Sequence, residues 1–295
     1  VLLTGASGVL GGRIALRLAE RCTVIAARHS TAPAGGVSVD LDLASPASVA
    51  RAFREALPDA VVHSAALADV DACERDPERA FRVNVGGTEA IARAAAERGL
   101  HLVTLSTDTV FPGDGGLQGE DATPRPLQVY GRTKVAAEAA ALGLCPGAAV
   151  ARVCLVTGRG HGPRGTASES IAWALRDGRP LRLFTDQYRT PVDADSVAEA
   201  LALLLERRGH GIYHLAGPER VSRHALGLRV AALLGLPAAG LEPVRYADQP
   251  SAGPRPADLG LDASRARDEL GWTPRSLEAA IRLGRAAPDI IAPRS

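Results

Sequence analysis

Methionine is absent from the 295 residues, and aromatic side chains make up only 3% of them. Scarce aromatics leave little from which to build stacking platforms for bases. Charge of one sign is also missing. Lys+Arg (34) nearly equals Asp+Glu (33), a formal net charge of +1, and no basic stripe of the kind a phosphate backbone requires is visible. Nucleic acid is therefore not an expected partner. The four cysteines, Cys22, Cys73, Cys145 and Cys154, are far apart and show no metal-ligand spacing. They read as reduced, buried thiols of a cytoplasmic protein, and no metal is expected. No apolar run is long and clean enough to cross a bilayer, so no membrane is expected either. The opening Val1-Leu2-Leu3-Thr4-Gly5 has no basic segment of a signal peptide and reads as a buried strand entering a glycine turn. A chain of this length buries an ample core without disulfide or metal staples.

What is present is alternation. Short apolar strings predict strands at Val1–Leu3, Thr23–Ala27, Val37–Val39, Ala60–His63, Leu102–Leu105 and Val150–Val156. Helical patterns lie between them at Arg13–Glu20, Ala47–Leu57, Glu78–Arg98 and Val129–Leu142, two of them opened by the cap-then-proline pairs Ser45-Pro46 and Asp76-Pro77. Strand–helix alternation predicts an α/β fold, a doubly wound parallel sheet of Rossmann type. After Gly158 the pattern is less regular. Helices are expected at Ser168–Leu175, Ser196–Glu206, Arg223–Leu234 and Ser276–Leu283, and strands at Leu181–Phe184 and Gly211–Leu215. The expected division is a dinucleotide-binding unit over residues 1–157 and a smaller C-terminal substrate lobe over 158–295, part of 190–216 returning to the sheet.

Thr4-Gly5-Ala6-Ser7-Gly8-Val9-Leu10-Gly11-Gly12 is a glycine turn between a strand and a helix. Gly5 permits a tight turn, Gly8 leaves room for a pyrophosphate, and Gly11 lets the helix approach the strand. The helix N-terminus offers free N–H groups to the anion, so Ser7, Val9 and Leu10 join the glycines as cofactor-binding candidates. The spacing is GxxGxxG. After the second strand, Ala27-Arg28-His29-Ser30 carries no acid for the ribose hydroxyls of NAD. Arg28 can instead meet a 2′-phosphate, which favours NADP(H) while leaving NAD open, as it leaves open a merely solvated arginine. Asp42, with Leu43, follows the third strand and can accept from the adenine amino group; Asp40 can simply be solvated.

Tyr130 and Lys134, in Tyr130-Gly131-Arg132-Thr133-Lys134, stand four apart and share a helix face. A phenol titrating near 10 is a poor acid–base catalyst at neutral pH, and a nearby ammonium lowers it towards the working range. Ser106-Thr107-Asp108 follows the Leu102–Leu105 string at a carboxyl end, where a hydroxyl can hold a carbonyl oxygen for Tyr130 to protonate. Asn84 is a polar amide in a helical stretch and can support the lysine, directly or through water. Glu138 reads as part of a solvated helix face, His63 as packing, and Asp193 or Asp195 as a helix cap.

With these pieces together, the chain resembles an extended short-chain dehydrogenase/reductase, and within that superfamily the dTDP-4-dehydrorhamnose reductase group. The resemblance rests on TGASGVLGG, DLDL (Asp40–Leu43), HSAA (His63–Ala66), VNVGGT (Val83–Thr88), STDTVFPGDGG (Ser106–Gly116), YGRTK, DQYRTP (Asp186–Pro191) and RPADLGLDASRARDELGW (Arg255–Trp272). It implies a Thr107–Tyr130–Lys134 triad and hydride transfer from the nicotinamide to a keto carbon of a nucleotide-linked sugar. It also implies that Ala65 and Ala66 line the cofactor channel, with Asn84 and Ser106 beside it. Asp108, Val110, Gln187, Arg189 and Arg255 become candidates for substrate binding, and a homodimer becomes the assembly to test. Two positions depart from the group. Cys154-Leu155 stands where it usually has Ser-Trp, and Arg189 replaces a common glycine. An arginine there can reach a diphosphate or a carboxylate, or point to solvent. The alternatives are an epimerase or dehydratase with tightly bound NAD, a tailoring ketoreductase on a non-sugar substrate, and a regulatory subunit that binds dinucleotide without turnover. Thr109, where a dehydratase wants Glu, weighs against dehydration.

Overall fold

Strands that read as unbroken apolar strings must be covered on both faces. The computed structural model, which describes residues 1–29, 37–162, 164–248 and 255–285, shows how this is done. The first half runs β1 (Leu2–Thr4), α1 (Val9–Ala19), β2 (Ile25–Arg28), β3 (Val37–Asp40), α2 (Pro46–Ala56) and β4 (Ala60–His63). It continues through α3 (Val70–Arg75), α4 (Pro77–Phe81), α5 (Gly87–Ala96), β5 (His101–Thr107), α6 (Val129–Leu144) and β6 (Ala149–Val153). Then follow β7 (Val156–Thr157), α7 (Ala167–Arg176), β8 (Leu181–Phe184), β9 (Tyr188–Arg189), β10 (Val192–Asp193), α8 (Ala194–Glu206) and β11 (Gly211–Leu215). The chain closes with β12 (Val221–Ser222), α9 (Arg223–Leu234), β13 (Leu241–Val244), β14 (Asp258–Leu259), α10 (Ser264–Leu270) and α11 (Leu277–Arg285).

Seven strands form one sheet in the order β11-β6-β5-β4-β1-β2-β3, every pair parallel. The order reverses between β1 and β4, which opens a crevice at their carboxyl ends. Period-two alternation sends neighbouring side chains to opposite faces. Leu2, Val61 and Leu102 pack with Phe53 and Ile91 under α2, α5 and α6, while Leu3, Val62 and Val103 pack with Ile14 and Leu201 under α1 and α8. A third core joins α7, α9 and α11 through Ile171, Leu226, Val230, Leu277 and Ile281, closed by the parallel pair β8–β13. Trp272, 1% exposed, donates to the carbonyl of Ser196 and ties the chain beyond α10 to α8.

Three expected elements differ. The strand expected at Val150–Val156 stops at Val153, because β7 leaves the main sheet to pair with β10. The helix expected at Glu78–Arg98 is interrupted by a π turn at Arg82–Gly86, and a short separate helix, α3, precedes it. The first helix starts at Val9, four residues before the expected Arg13. The signals at Ser45 and Asp76 are real caps: each side chain accepts a backbone N–H of the helix it opens.

Candidate active site

The glycine loop turns directly into α1. Gly5 has φ +77°, and a Cβ there would meet the Ala65 amide at 2.8 Å. A Cβ at Gly11 would fall 1.9 Å from the Gly5 carbonyl oxygen, so α1 cannot seat without this glycine. Gly8 is the N-cap and offers no side-chain cap, which leaves the first-turn N–H groups of α1 to an anion. Thr4, at the end of β1, draws the other wall of the crevice together. Its hydroxyl oxygen accepts from the amides of Ser64 and Ala65, both at 3.1 Å. The chain of bonds continues inward. Thr4 Oγ1 and His63 Nδ1 are 2.8 Å apart, His63 Nε2 and Thr88 Oγ1 are 3.1 Å apart, and Thr88 donates to the Asn84 carbonyl. Since Thr88 spends its proton on Asn84, His63 Nε2 must donate and Nδ1 must accept, a neutral ring. Burial agrees, pushing His63 down to about 3. Residues from β1, β4, the π turn and α5 thus fix Ser64 and Ala65, with Ala66 next in the chain, at the crevice where the strand order reverses.

Arg28 ends β2 and Asp40 ends β3, and the register of the two strands sets them side by side. Arg28 Nε donates to Asp40 Oδ1 at 2.7 Å, both side chains well exposed. The acid missing after β2 is therefore supplied by β3, and Asp40 is paired rather than merely solvated. Asp42 accepts from the Ala44 amide at 2.9 Å, and Leu43 packs against Gly87 at the start of α5. Ser30 lies outside the described residues.

Thr107, Tyr130 and Lys134, the three expected triad residues, are brought to one place by the close approach of α6 to the end of β5. Gly131 makes that approach possible: a Cβ there would lie 2.4 Å from the Thr109 carbonyl oxygen. Thr107 caps the single 3-10 turn Asp108–Val110, accepting from the Thr109 amide at 3.2 Å. Lys134 is buried and donates to the Leu105 carbonyl at 2.7 Å. Asn84 holds the helix rather than the lysine itself. Its amide pairs with both the N–H (2.7 Å) and the C=O (3.1 Å) of Leu67 and donates to Thr133 at 3.0 Å. π turns recur at functional sites, and this one aims a polar side chain inward between α6 and the crevice.

The electrostatics differ from expectation. The spacing of Tyr130 and Lys134 predicts a lowered phenol, but burial first, then the Asp108 and Cys73 groups, push Tyr130 above its ordinary value. Burial lowers Lys134 to about 8, against the opposing pull of Glu138. Tyr130 therefore stands protonated at neutral pH, ready to donate, with a cation one turn along its helix. Glu138 is not on a solvated face. It is 5% exposed, accepts from Ser106, and pairs with Arg152 at 2.7 Å. Ser106 thereby turns its hydroxyl to Glu138.

Among the substrate candidates, Gln187, Arg189 and Arg255 line one cavity of about 360 Å³ together with Thr109, Asp69 and Asp71. Asp108 is buried and meets Arg189 Nε at 3.4 Å and the Cys154 thiol at 3.2 Å. Val110 is fully buried in the core, so it has no face for a substrate. Arg223, which sequence reasoning passed over, joins the Asp108–Arg189–Cys154 group. Only the ladder between β9 and β12, strands of two residues each, brings it there.

Residues 1–285 match the RmlD substrate binding domain. The chain belongs to this family, a group of extended short-chain dehydrogenases/reductases. Three curated relatives show its spread. The probable low-salt glycan biosynthesis reductase Agl14 of Haloferax volcanii is 32% identical, covering 94% of each chain. A dTDP-4-dehydrorhamnose reductase of Salmonella typhimurium is 35% identical over 76% of this chain and 74% of the relative. Methionine adenosyltransferase 2 subunit beta of Xenopus laevis is 33% identical over 90% of this chain and 80% of the relative. Among solved structures, a hypothetical dTDP-4-dehydrorhamnose reductase from Sulfolobus tokodaii superposes with a TM-score of 0.82 at 31% identity, covering 94% and 97% of the two chains. The family accounts for the doubly wound sheet, the glycine loop and the Tyr-Lys helix occurring in one chain.

Proposed function

We propose that this protein is a reductase that uses NADPH in preference to NADH to reduce a keto group on a nucleotide-linked sugar. The observation that carries the reading is the convergence of Thr107, Tyr130 and Lys134 at the carboxyl end of β5, beside the crevice where the strand order reverses. The chemistry of the reductases among its relatives agrees with it.

The cradle fits a dinucleotide. Gly5 and Gly8 leave the turn bare, the α1 N-terminus has no side-chain cap, and Arg28 at the end of β2 offers a guanidinium to a 2′-phosphate. Bound there, the nicotinamide supplies the hydride. Lys134 holds the ribose and adds positive charge beneath the phenol. Thr107 donates to the substrate carbonyl oxygen and fixes its position against Tyr130. Tyr130 Oη gives that oxygen its proton as negative charge develops on it, and the raised phenol keeps the proton in place until then. Residues 158–295 are read as the substrate side.

The test is titration of the protein with NADPH and NADH, followed by turnover with dTDP-4-keto-6-deoxy sugars, dTDP-4-dehydrorhamnose among them. Exchangeable NADPH binding with oxidation upon sugar addition supports the reductase. Dinucleotide binding without turnover on any keto sugar overturns it in favour of a subunit role.

A further inference from the structure

The geometry points to a subsite, made by Gln187, Arg189 and Arg223, for a carboxylate that the substrate carries beside the carbon being reduced. This inference rests on the sugar-nucleotide reading and narrows it from deoxysugars to acidic sugars.

The short ladder between β9 and β12 builds the subsite. Tyr188 pairs with Ser222 and Arg189 with Val221, antiparallel, and the Arg223 amide donates to the Gln187 carbonyl at 3.0 Å. Gln187 and Arg189 flank Tyr188 on one face, the one that lines the cavity, and Arg223, the first residue of α9, lies near Arg189 and Asp108. Tyr188 takes the other face, where the Arg220 guanidinium lies 3.9 Å from its ring centre.

The polar groups on the first face are underused. Gln187 is 6% exposed, lines the cavity, and leaves Nε2 without a hydrogen-bond partner among the described residues. A buried donor in that state costs free energy that a ligand acceptor would recover. Asp108 is already engaged by Thr107, Cys154 and Arg189. It is also the carboxylate beside Arg223, whose guanidinium ends no hydrogen bond or ion pair among the described residues. Burial and the neighbouring Arg189 lower Arg223 to about 10, the mark of cations lacking enough counter-charge. A carboxylate would supply it, and guanidinium groups recognise its planar fork. Asp69 and Asp71 also line the cavity, and Asp69 is turned to the Ala72 amide as a helix cap, so an anion is favoured on the arginine side alone.

Position decides between carboxylate and diphosphate. Asp108 directly follows Thr107, so Arg189 reaches the end of the substrate that bears the reacting carbonyl. A diphosphate hangs from the anomeric carbon at the other side of the sugar.

The test is calorimetric titration of the NADP-loaded protein with dTDP-glucuronate, dTDP-glucose and dTDP. The glucuronate should bind about tenfold or more tightly than the glucose, a difference of about 1.4 kcal/mol. Arg189→Gly and Gln187→Leu should each erase that advantage while leaving dTDP affinity unchanged. Equal affinity of the unsubstituted protein for the two sugars overturns the subsite and leaves the reductase standing. Loss of dTDP affinity in Arg189→Gly also overturns it, assigning the arginine to the diphosphate. Failure of all three to bind while NADP still does overturns the nucleotide-sugar reading, and the subsite with it.

Discussion

Glu138 and Arg152 meet in a two-pronged ion pair, Nε to Oε1 at 3.0 Å and Nη2 to Oε2 at 2.7 Å, with both side chains shut off from water. The pair reaches outward as well. Ser106 donates to Glu138, the Arg152 guanidinium lies over the Phe111 ring, and His214 Nε2 stands 3.4 Å from Arg152. Because Ser106 sits between Leu105, which anchors Lys134, and Thr107, this pair holds the end of β5 that carries the candidate residues.

Glu138→Ala should therefore destabilise the fold by about 3–5 kcal/mol, since it strands a buried guanidinium. The double variant Glu138→Leu with Arg152→Met should recover most of that loss, because burying two charges repays little beyond good packing. Denaturant unfolding of the three proteins checks both statements. Equal stability of the single and double variants would show that the stranded charge is not the cause.

On the proposed mechanism, in which the phenol gives its proton to the carbonyl oxygen, Tyr130→Phe should remove nearly all turnover and leave NADPH affinity within about twofold. Lys134→Ala should damage both. Stopped-flow binding alongside steady-state rates separates the two effects, and a Phe variant as fast as the parent would remove Tyr130 from the proton transfer.

Lys134 gives the reaction a basic limb. Its pKa of about 8 means that the ammonium is present at neutral pH and is lost as pH rises through about 8. The rate of reduction at low NADPH should fall over that interval. Glu138 raises Lys134, so Glu138→Gln should move the limb to lower pH. A rate that stays level well above pH 8 would show that the charge is not required.

Most of the sheet, and the helix that carries Tyr130 and Lys134, were legible in the sequence because they rest on local signals. Apolar strings of three to seven residues, a glycine loop and a Tyr-Lys pair one helical turn apart each carry their geometry with them. What escaped detection depends on contacts between distant segments. Glu138 lies on an alanine-rich helix and reads as solvated until β6 brings Arg152 against it. Asp40 seems spare until the β2–β3 register sets it beside Arg28. Arg223 comes near Asp108 and Arg189 only through a pairing of two-residue strands, too short to leave a periodic trace. The lowered phenol was inferred from one favourable neighbour, and burial together with Asp108 outweighs it.

Acid should unfold the protein through its buried imidazoles. His63 and His214 are held down to about 3 and about 4 by burial, with Lys134 and Arg152 adding to the effect. In the unfolded chain each takes its proton near 6.5, so the unfolded state binds more protons once pH drops below that value. Stability contributed by the neutral rings is complete above about pH 6.5 and declines as pH falls towards about 4 and then about 3. Denaturation midpoints measured at steps from about pH 7.5 to about pH 4.5 should fall progressively. A constant midpoint would mean that the two rings titrate alike in both states.

On the proposed function, the pair of Arg28 and Asp40 should set the choice of dinucleotide. Arg28 Nε donates to Asp40, leaving the rest of its guanidinium to meet a 2′-phosphate, whereas Asp40 can accept from the ribose hydroxyl of NAD. Both side chains are substantially exposed, so parting them costs at most about 1 kcal/mol, and a phosphate of nearly two negative charges competes successfully for the guanidinium. NADPH is therefore preferred without NADH being excluded. Asp40→Ala frees the arginine and should widen the preference for NADPH, while Arg28→Ala should lose about tenfold or more in NADPH affinity and leave NADH binding nearly intact. The opposing signs matter, since damage to the fold would weaken both dinucleotides in both variants. Fluorescence titration of the two proteins with each dinucleotide reads the four constants. If Asp40→Ala weakened NADPH as much as NADH, the pair would serve the β2–β3 edge rather than the cofactor.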